Sequence, residues 1–188
     1  VIKIKKSGLV FHEVDFSRKG KNPFSEFQTI VSLYRLFRLI KPDLVHLITI
    51  KPYLYGGIAA RVANIPSVVS AVAGLGILFS SNDFKYRFLR GFLYPLYRFA
   101  FGHKNQKVIF QNKDDRDALL NWRVVSEEKP VMIRGSGVNL LLCPYLPEPE
   151  DIPIISFAAR LLKDKGVGVF VDASKILKSR NVLARFWL

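Results

Sequence analysis

Arg160 and Lys165 flank a turn between an apolar strand, Ile152 to Ala158, and a helix-like segment opened by Gly166. The first N–H groups of a helix have no intrahelical partner, and the helix dipole adds partial positive charge there. Two cations beside such a terminus suit a diphosphate, whose roughly two negative charges they balance. Asp164 between them serves as a cap for that helix or as a partner for Lys163. Spacing alone keeps the plainer alternative open, since cations also stand at helix starts that hold no ligand.

A second group is expected at the ends of strands. His46, Thr49 and Lys51 would crowd one rim, and Lys51 precedes a helix start that carries Gly56 and Gly57. Lys51 is an anion-contact candidate, whereas His46 is either an acid–base group or a cross-strand hydrogen bonder. Gly74 and Gly76 follow one strand, and Gly135-Ser136-Gly137 follows another. Glycine turns of this kind can offer backbone N–H groups to an anionic ligand, or can be turns and nothing more. Phe79 stands where a Gly-x-Gly-x-x-Gly fingerprint would need its third glycine. Open parallel sheets bind ligands at the carboxyl ends of their strands, where both Gly turns are placed.

The third group is basic and aromatic. Between Phe84 and Lys107 the chain carries Lys85, Arg87, Arg90, Arg98, Lys104 and Lys107 and no Asp or Glu, interleaved with Phe and Tyr. Rings at a headgroup boundary with cations on phosphates would make a contact with an anionic membrane surface, through Lys85, Arg87, Arg90 and Arg98. The alternative is a core helix with a solvated basic side.

These groups are positioned by alternating strands and helices, the pattern of a parallel sheet with helices on both faces. Strands are expected at Leu9 to Phe16, Asp43 to Thr49, Ser67 to Ala73, Lys107 to Gln111 and Pro130 to Arg134. Helices are expected at Ser25 to Lys41, Tyr53 to Ala63, Phe84 to Gly102 and Lys113 to Trp122. Ser25 is a cap candidate for the first, with Phe27, Ile30, Tyr34, Phe37 and Lys41 on one side and Arg35 and Arg38 toward solvent. Pro95 is expected to kink the third, and Asn112 to cap the fourth. Pro144, Pro147, Pro149 and Pro153 mark a change of composition. The expected division is residues 1–138, a linker at 139–151, and a new strand–helix–strand at 152–188.

Composition narrows the partners. With 29 Lys and Arg against 15 Asp and Glu, the 188-residue chain carries a net charge of +14. That favours anionic partners: phosphorylated ligands, an acidic membrane surface or nucleic acid. No zinc-finger, RNP-type or helix-turn-helix signature supports nucleic acid. Cys143 is the single cysteine, and His12, His46 and His103 lack ligand spacing, so neither a disulfide nor a metal site is expected. From Val62 to Asn82 no residue is charged, which is long enough to cross a bilayer. Pro66, Gly74 and Gly76 within it fit a buried parallel strand and a loop better.

Taken in order, several segments resemble glycosyltransferase family 4, of the two-domain GT-B fold. They are Asn22-Pro23-Phe24-Ser25-Glu26, Lys41 to Pro52, Tyr55 to Arg61, Gly74-Leu75-Gly76, Phe110 to Asp115, Gly135 to Asn139 and Arg160 to Val167. The resemblance implies an α/β fold: a Rossmann-like, parallel-sheet acceptor-binding domain, then the first β-α-β of a nucleotide-sugar-binding domain. It implies metal-independent transfer of a sugar, with retention, from a nucleotide-sugar donor such as a UDP-sugar. The subgroup it most resembles adds hexosamine-type sugars to polyprenyl-diphosphate-linked or glycan acceptors in bacterial surface-polysaccharide assembly, peripheral to the inner face of the membrane. Arg160 and Lys165 match the family's donor-diphosphate cations, and Gly135 to Gly137 would border the interdomain cleft. Many relatives carry a His near position 73, where this chain has Ala73-Gly74, so no catalytic base is assigned. The family's Gly-rich loop and paired-carboxylate motif are expected before Val1 and beyond Leu188, so the chain is expected to be an internal, inactive piece.

Three rivals separate by experiment. A non-catalytic peripheral membrane module predicts lipid binding without transfer. A nucleic-acid binder predicts affinity that falls steeply with salt. A related GT-B enzyme such as a nucleotide-sugar epimerase is told apart by its product.

Overall fold

The computed structural model describes residues 6–16, 22–80, 83–135, 137–148 and 150–188. The chain divides into two compact units, Val1–Ser136 and Gly137–Leu188. In the first, helix α1 runs from Pro23 to Ile40. Pro at the first helical position has the φ a helix needs, and its missing N–H would have been unpaired anyway. The cap is Asn22 rather than Ser25: the Asn22 side chain accepts the Phe24 N–H at 3.0 Å, while the Ser25 hydroxyl donates to the Asn22 carbonyl. Lys41 closes the helix in the left-handed region at φ 50°, and Pro42 prevents continuation.

Strands β1 (Leu44–Ile48), β2 (Ser67–Val72), β3 (Gln106–Phe110) and β4 (Pro130–Met132) form one sheet in that order. Every pairing is parallel, with Leu47 opposite Ser70 and Ser70 opposite Val108. Right-handed crossovers between strands in sequential order bring all their helices to one face. The connections are a π-helical turn (Pro52–Gly56) with α2 (Gly57–Val62), then α3 (Ile77–Ser80) with α4 (Phe84–Ala100), then α5 (Lys113–Asn121). Val45, Leu47, Val68, Ser70, Val72, Val108 and Phe110 are buried under them. On the opposite face Leu44, His46 and Ile48 are exposed. Helices on both faces were expected; among the described residues they lie on one.

The core is aromatic. Tyr53 stacks at 5.3 Å on Phe101, and Trp122 gathers Phe79, Tyr94 and Tyr97 within 5.7 Å. Burial pushes the Tyr97 phenol up to about 12. Close approach depends on glycine at two places. A Cβ on Gly56 would meet the Leu47 side chain at 2.6 Å, and one on Gly57 would meet the Ala100 carbonyl at 3.0 Å.

Two local features close the unit. His103 bonds the Ile65 carbonyl through Nε2 at 2.8 Å, and Lys129 donates to the carbonyls of Phe101 and His103. The lysine thereby caps the α4 terminus, and burial lowers its pKa.

Two further expectations shift, those for Leu9 to Phe16 and for Phe27. Leu9 to Phe16 has no regular secondary structure and joins no ladder, although Val14 and Phe16 rest on the core. Apolar content alone does not make a strand without a partner edge. Phe27 is exposed, and the buried side of α1 is Thr29, Leu33 and Phe37. The helix α4 continues through Pro95. The uncharged span from Val62 is β2, a loop and a short helix, and no described helix is long and apolar enough to cross a membrane.

The second unit pairs β5 (Ile154–Ser156) in parallel with β6 (Arg185–Trp187). Between them lie a 3-10 turn, Lys163–Lys165, and helix α6, Val167–Ser179. Phe170 packs against Phe157 at 5.3 Å and Phe186 at 6.0 Å.

Candidate functional site

In the first unit, parallel strands bring their following loops to one sheet edge. The chain leaves β1 through Thr49, whose φ is 74°, and leaves β2 through Gly74 and Gly76 at φ 114° and 64°. Gly135, beyond β4, has φ 68°. These left-handed residues turn the backbone sharply at the strand ends, the conformation Gly adopts at least cost. The first two loops touch: a Cβ on Gly76 would lie 3.5 Å from the Ile50 side chain. Ser136 lies outside the described residues, and Gly137 begins the second unit.

Lys51 reaches this edge already neutralised. Its ammonium contacts both Glu26 carboxylate oxygens, at 2.8 and 3.1 Å, and lies 5.8 Å from the Tyr55 ring centroid. Burial would raise the Glu26 pKa. Hydrogen bonds from Lys51 and Tyr55, with the Lys51 charge, outweigh it and hold the carboxyl below its ordinary value. The Tyr55 phenol is shifted upward by burial and by Glu26. Glu26 and Tyr55 were not singled out by sequence. Lys51 and Glu26 lie far apart in the chain, on β1's exit and the first turn of α1, so no local spacing links them.

Lys51 immediately precedes the π-helical stretch that contains Tyr55, a form often met at functional sites. His46 stands back from the rim, exposed within β1 opposite Val69. Gly56 serves packing on Leu47 rather than the loop edge. At the end of β2, Ala73-Gly74 offers no acid or base, and Glu26 is already partnered.

The second unit carries the other cations. Arg160 and Lys165 are both exposed. The Arg160 carbonyl accepts from Leu162, and the Leu162 carbonyl accepts from Lys165, so a tight turn joins the two residues. Gly166 follows at φ 85° and its carbonyl receives the Phe170 N–H, the first bond of α6. A Cβ on Gly166 or Gly168 would meet nothing within 4 Å. Neither position is crowded, and the leading N–H groups of this 13-residue helix have no intrahelical acceptor.

Of the basic aromatic set, Lys85, Arg87 and Arg98 are exposed. Arg90 is turned inward and donates to the carbonyls of Leu78 and Phe79, tying α4 to α3.

A parallel sheet with helices in its crossovers, followed by a second β-α-β unit, is the Rossmann-like architecture of GT-B glycosyltransferases. The chain belongs to the glycosyl transferase 4-like family, whose profile matches residues 3–112. It is 28% identical over 191 residues to the N,N'-diacetylbacillosaminyl-diphospho-undecaprenol alpha-1,3-N-acetylgalactosaminyltransferase of Campylobacter jejuni, covering 95% of this chain and 50% of that relative. The chain thus spans about half the length of this curated relative. A crystal structure of a glycosyltransferase from Rickettsia africae superposes with a TM-score of 0.59 at 20% identity, over 95% of this chain and 46% of that one.

Proposed function

We propose that this chain is part of a glycosyltransferase that moves an N-acetylhexosamine from a UDP-sugar to a polyprenyl-diphosphate-linked acceptor on the inner face of a bacterial membrane. The observation that carries the reading is the alignment of nearly the whole chain, through both units in order, with a transferase named for an undecaprenol-diphospho substrate. The first unit receives the acceptor at the carboxyl edge of its sheet, beside Thr49, Gly74 and Gly76.

The second unit receives the donor diphosphate. Arg160 and Lys165 stand at the start of α6, where N–H groups and the helix dipole favour negative charge. As the sugar–phosphate bond breaks, charge grows on the leaving diphosphate, and fixed cations stabilise it more than the ground state. No metal is required in this scheme, and the anomeric configuration is retained.

The test uses the full-length gene product, UDP-sugars and a polyprenyl-diphosphate-linked acceptor. Arg160→Ala and Lys165→Ala are each expected to lower kcat/KM by about 10²-fold, equivalent to ~3 kcal/mol of transition-state stabilisation. Wild-type rates in both would remove these cations from the mechanism. An epimerised nucleotide sugar as the only product would overturn the transferase reading.

A further inference from the structure

Helix α4 is apolar on two sides. Its inner side, including Leu93, Tyr94, Tyr97 and Ala100, joins the core. Its outer side is also aromatic: Phe84 is 81% exposed, Phe88 73% and Phe92 70%, with Phe99 at 40%. At 3.6 residues per turn, positions 84, 88, 92, 95 and 99 share a stripe about 80° wide. Arg87 and Arg98 border it on one side and Lys85 on the other, all exposed. Arg61 extends the basic rim by stacking 4.4 Å above the Phe99 ring. From Phe84 through Lys113 the sequence holds no Asp or Glu. Phe84, Phe88 and Phe92 stay outside the core cluster of the first unit and its packed neighbours, and a solvated surface helix does not need phenylalanines there.

We propose that this outer face of α4 docks on an anionic phospholipid bilayer, its helix axis in the membrane plane. The phenyl rings enter the headgroup–acyl boundary, and Lys85, Arg87 and Arg98 meet lipid phosphates. Charge complementarity selects this occupant. A second copy of a chain with net charge +14 would set cation against cation across the stripe. Helix α4 follows the Gly74–Gly76 loop, so the docked face begins near the sheet edge assigned to the acceptor. The docking itself rests on the helix and not on the transferase reading.

Cosedimentation of the chain with vesicles tests it, comparing phosphatidylcholine mixed with phosphatidylglycerol against phosphatidylcholine alone. Binding is expected to the anionic vesicles only. Phe84→Ser/Phe88→Ser/Phe92→Ser is expected to weaken it at least tenfold. Lys85→Glu/Arg87→Glu/Arg98→Glu is expected to weaken it by about 10²-fold or more. Arg35→Glu/Arg38→Glu/Lys178→Glu removes the same charge from exposed positions elsewhere and is expected to keep most of the binding. Equal loss in that control would reduce the effect to net charge and overturn the proposal. So would a dimer broken by the Phe variant with vesicles left unbound, or binding of single-stranded RNA in place of vesicles. Circular dichroism melting confirms that each variant is folded. Sugar transfer is read in no arm, so failure here leaves the transferase reading standing.

Discussion

Lys51 shows how one contact changes the role a residue can take. A lysine at a helix start beside glycines invites an anion, yet its ammonium is already held by Glu26. The pair is more than a surface bridge, because both side chains are mostly covered, with 28% and 16% of their surfaces exposed. Removing one partner of a covered pair leaves the other charge poorly solvated. Lys51→Met is therefore expected to destabilise the protein by about 1–2 kcal/mol at pH 7, read by urea unfolding. The pH dependence has a definite sign. The Glu26 pKa is lowered in the folded state, so its contribution is complete above the unfolded value of 4.5 and fades as pH falls through the folded value. The difference between wild type and Lys51→Met should accordingly shrink at acid pH, where Glu26 is protonated in both. A difference that stays constant with pH would mean that the lysine acts through packing of its stem. Sequence could offer Lys51 as a candidate but not find its partner. Asn112 was a simpler case: cap and helix are neighbours, and its side chain accepts the Asp115 N–H at 2.8 Å.

At the scale of elements, glycine positions with similar sequence context have opposite meanings. Gly57 sits where α2 crosses α4, and an added Cβ would come within 3.1 Å of the Ala100 Cβ. Gly91 lies within α4 with open space around it. In a helix Gly is less favourable than Ala by about 1 kcal/mol, so Gly91→Ala is expected to stabilise by roughly 0.5–1 kcal/mol. Gly57→Val is expected to cost about 2 kcal/mol or more, because neither backbone can yield without opening the helix crossing. Thermal melting of the two variants checks both, and matching shifts would remove the close crossing as a determinant. Element type was legible where periodicity was strong: β1 to β4, α1 and α4 fall within a few residues of expectation. What failed was tertiary. Leu9 to Phe16 has the apolar content of a strand, but hydrogen bonds come from a neighbour that the sequence does not specify. Arg90 shares its composition with Arg87 and Arg98, yet its place on the helix turns it toward α3. The cations of α4 read as one set in sequence and divide into two in space.

Over the whole molecule, burial is unevenly shared. The fully buried side chains, among them Tyr53, Val68, Val72, Phe101, Phe110 and Leu119, all belong to the first unit. Among the described residues from 137 to 188 none is fully buried, and Phe157, Phe170 and Phe186 are partly covered. Apolar burial is the main favourable contribution to folding, and cooperative local opening follows its distribution. Opening of the second unit should therefore require less free energy than opening of the first. Native-state hydrogen exchange of the chain is expected to show protection in β2 and β3 at least tenfold greater than in β5, β6 and α6. A diphosphate held at the start of α6 would bind only the folded second unit and should slow exchange there, leaving β2 and β3 unchanged. UDP added at saturating concentration provides that probe. Slowed exchange in α6 that is lost in Arg160→Ala would locate the nucleotide at this turn without any assay of transfer. Uniform protection across both units, with no response to UDP, would instead require a single cooperative body and a different place for the donor.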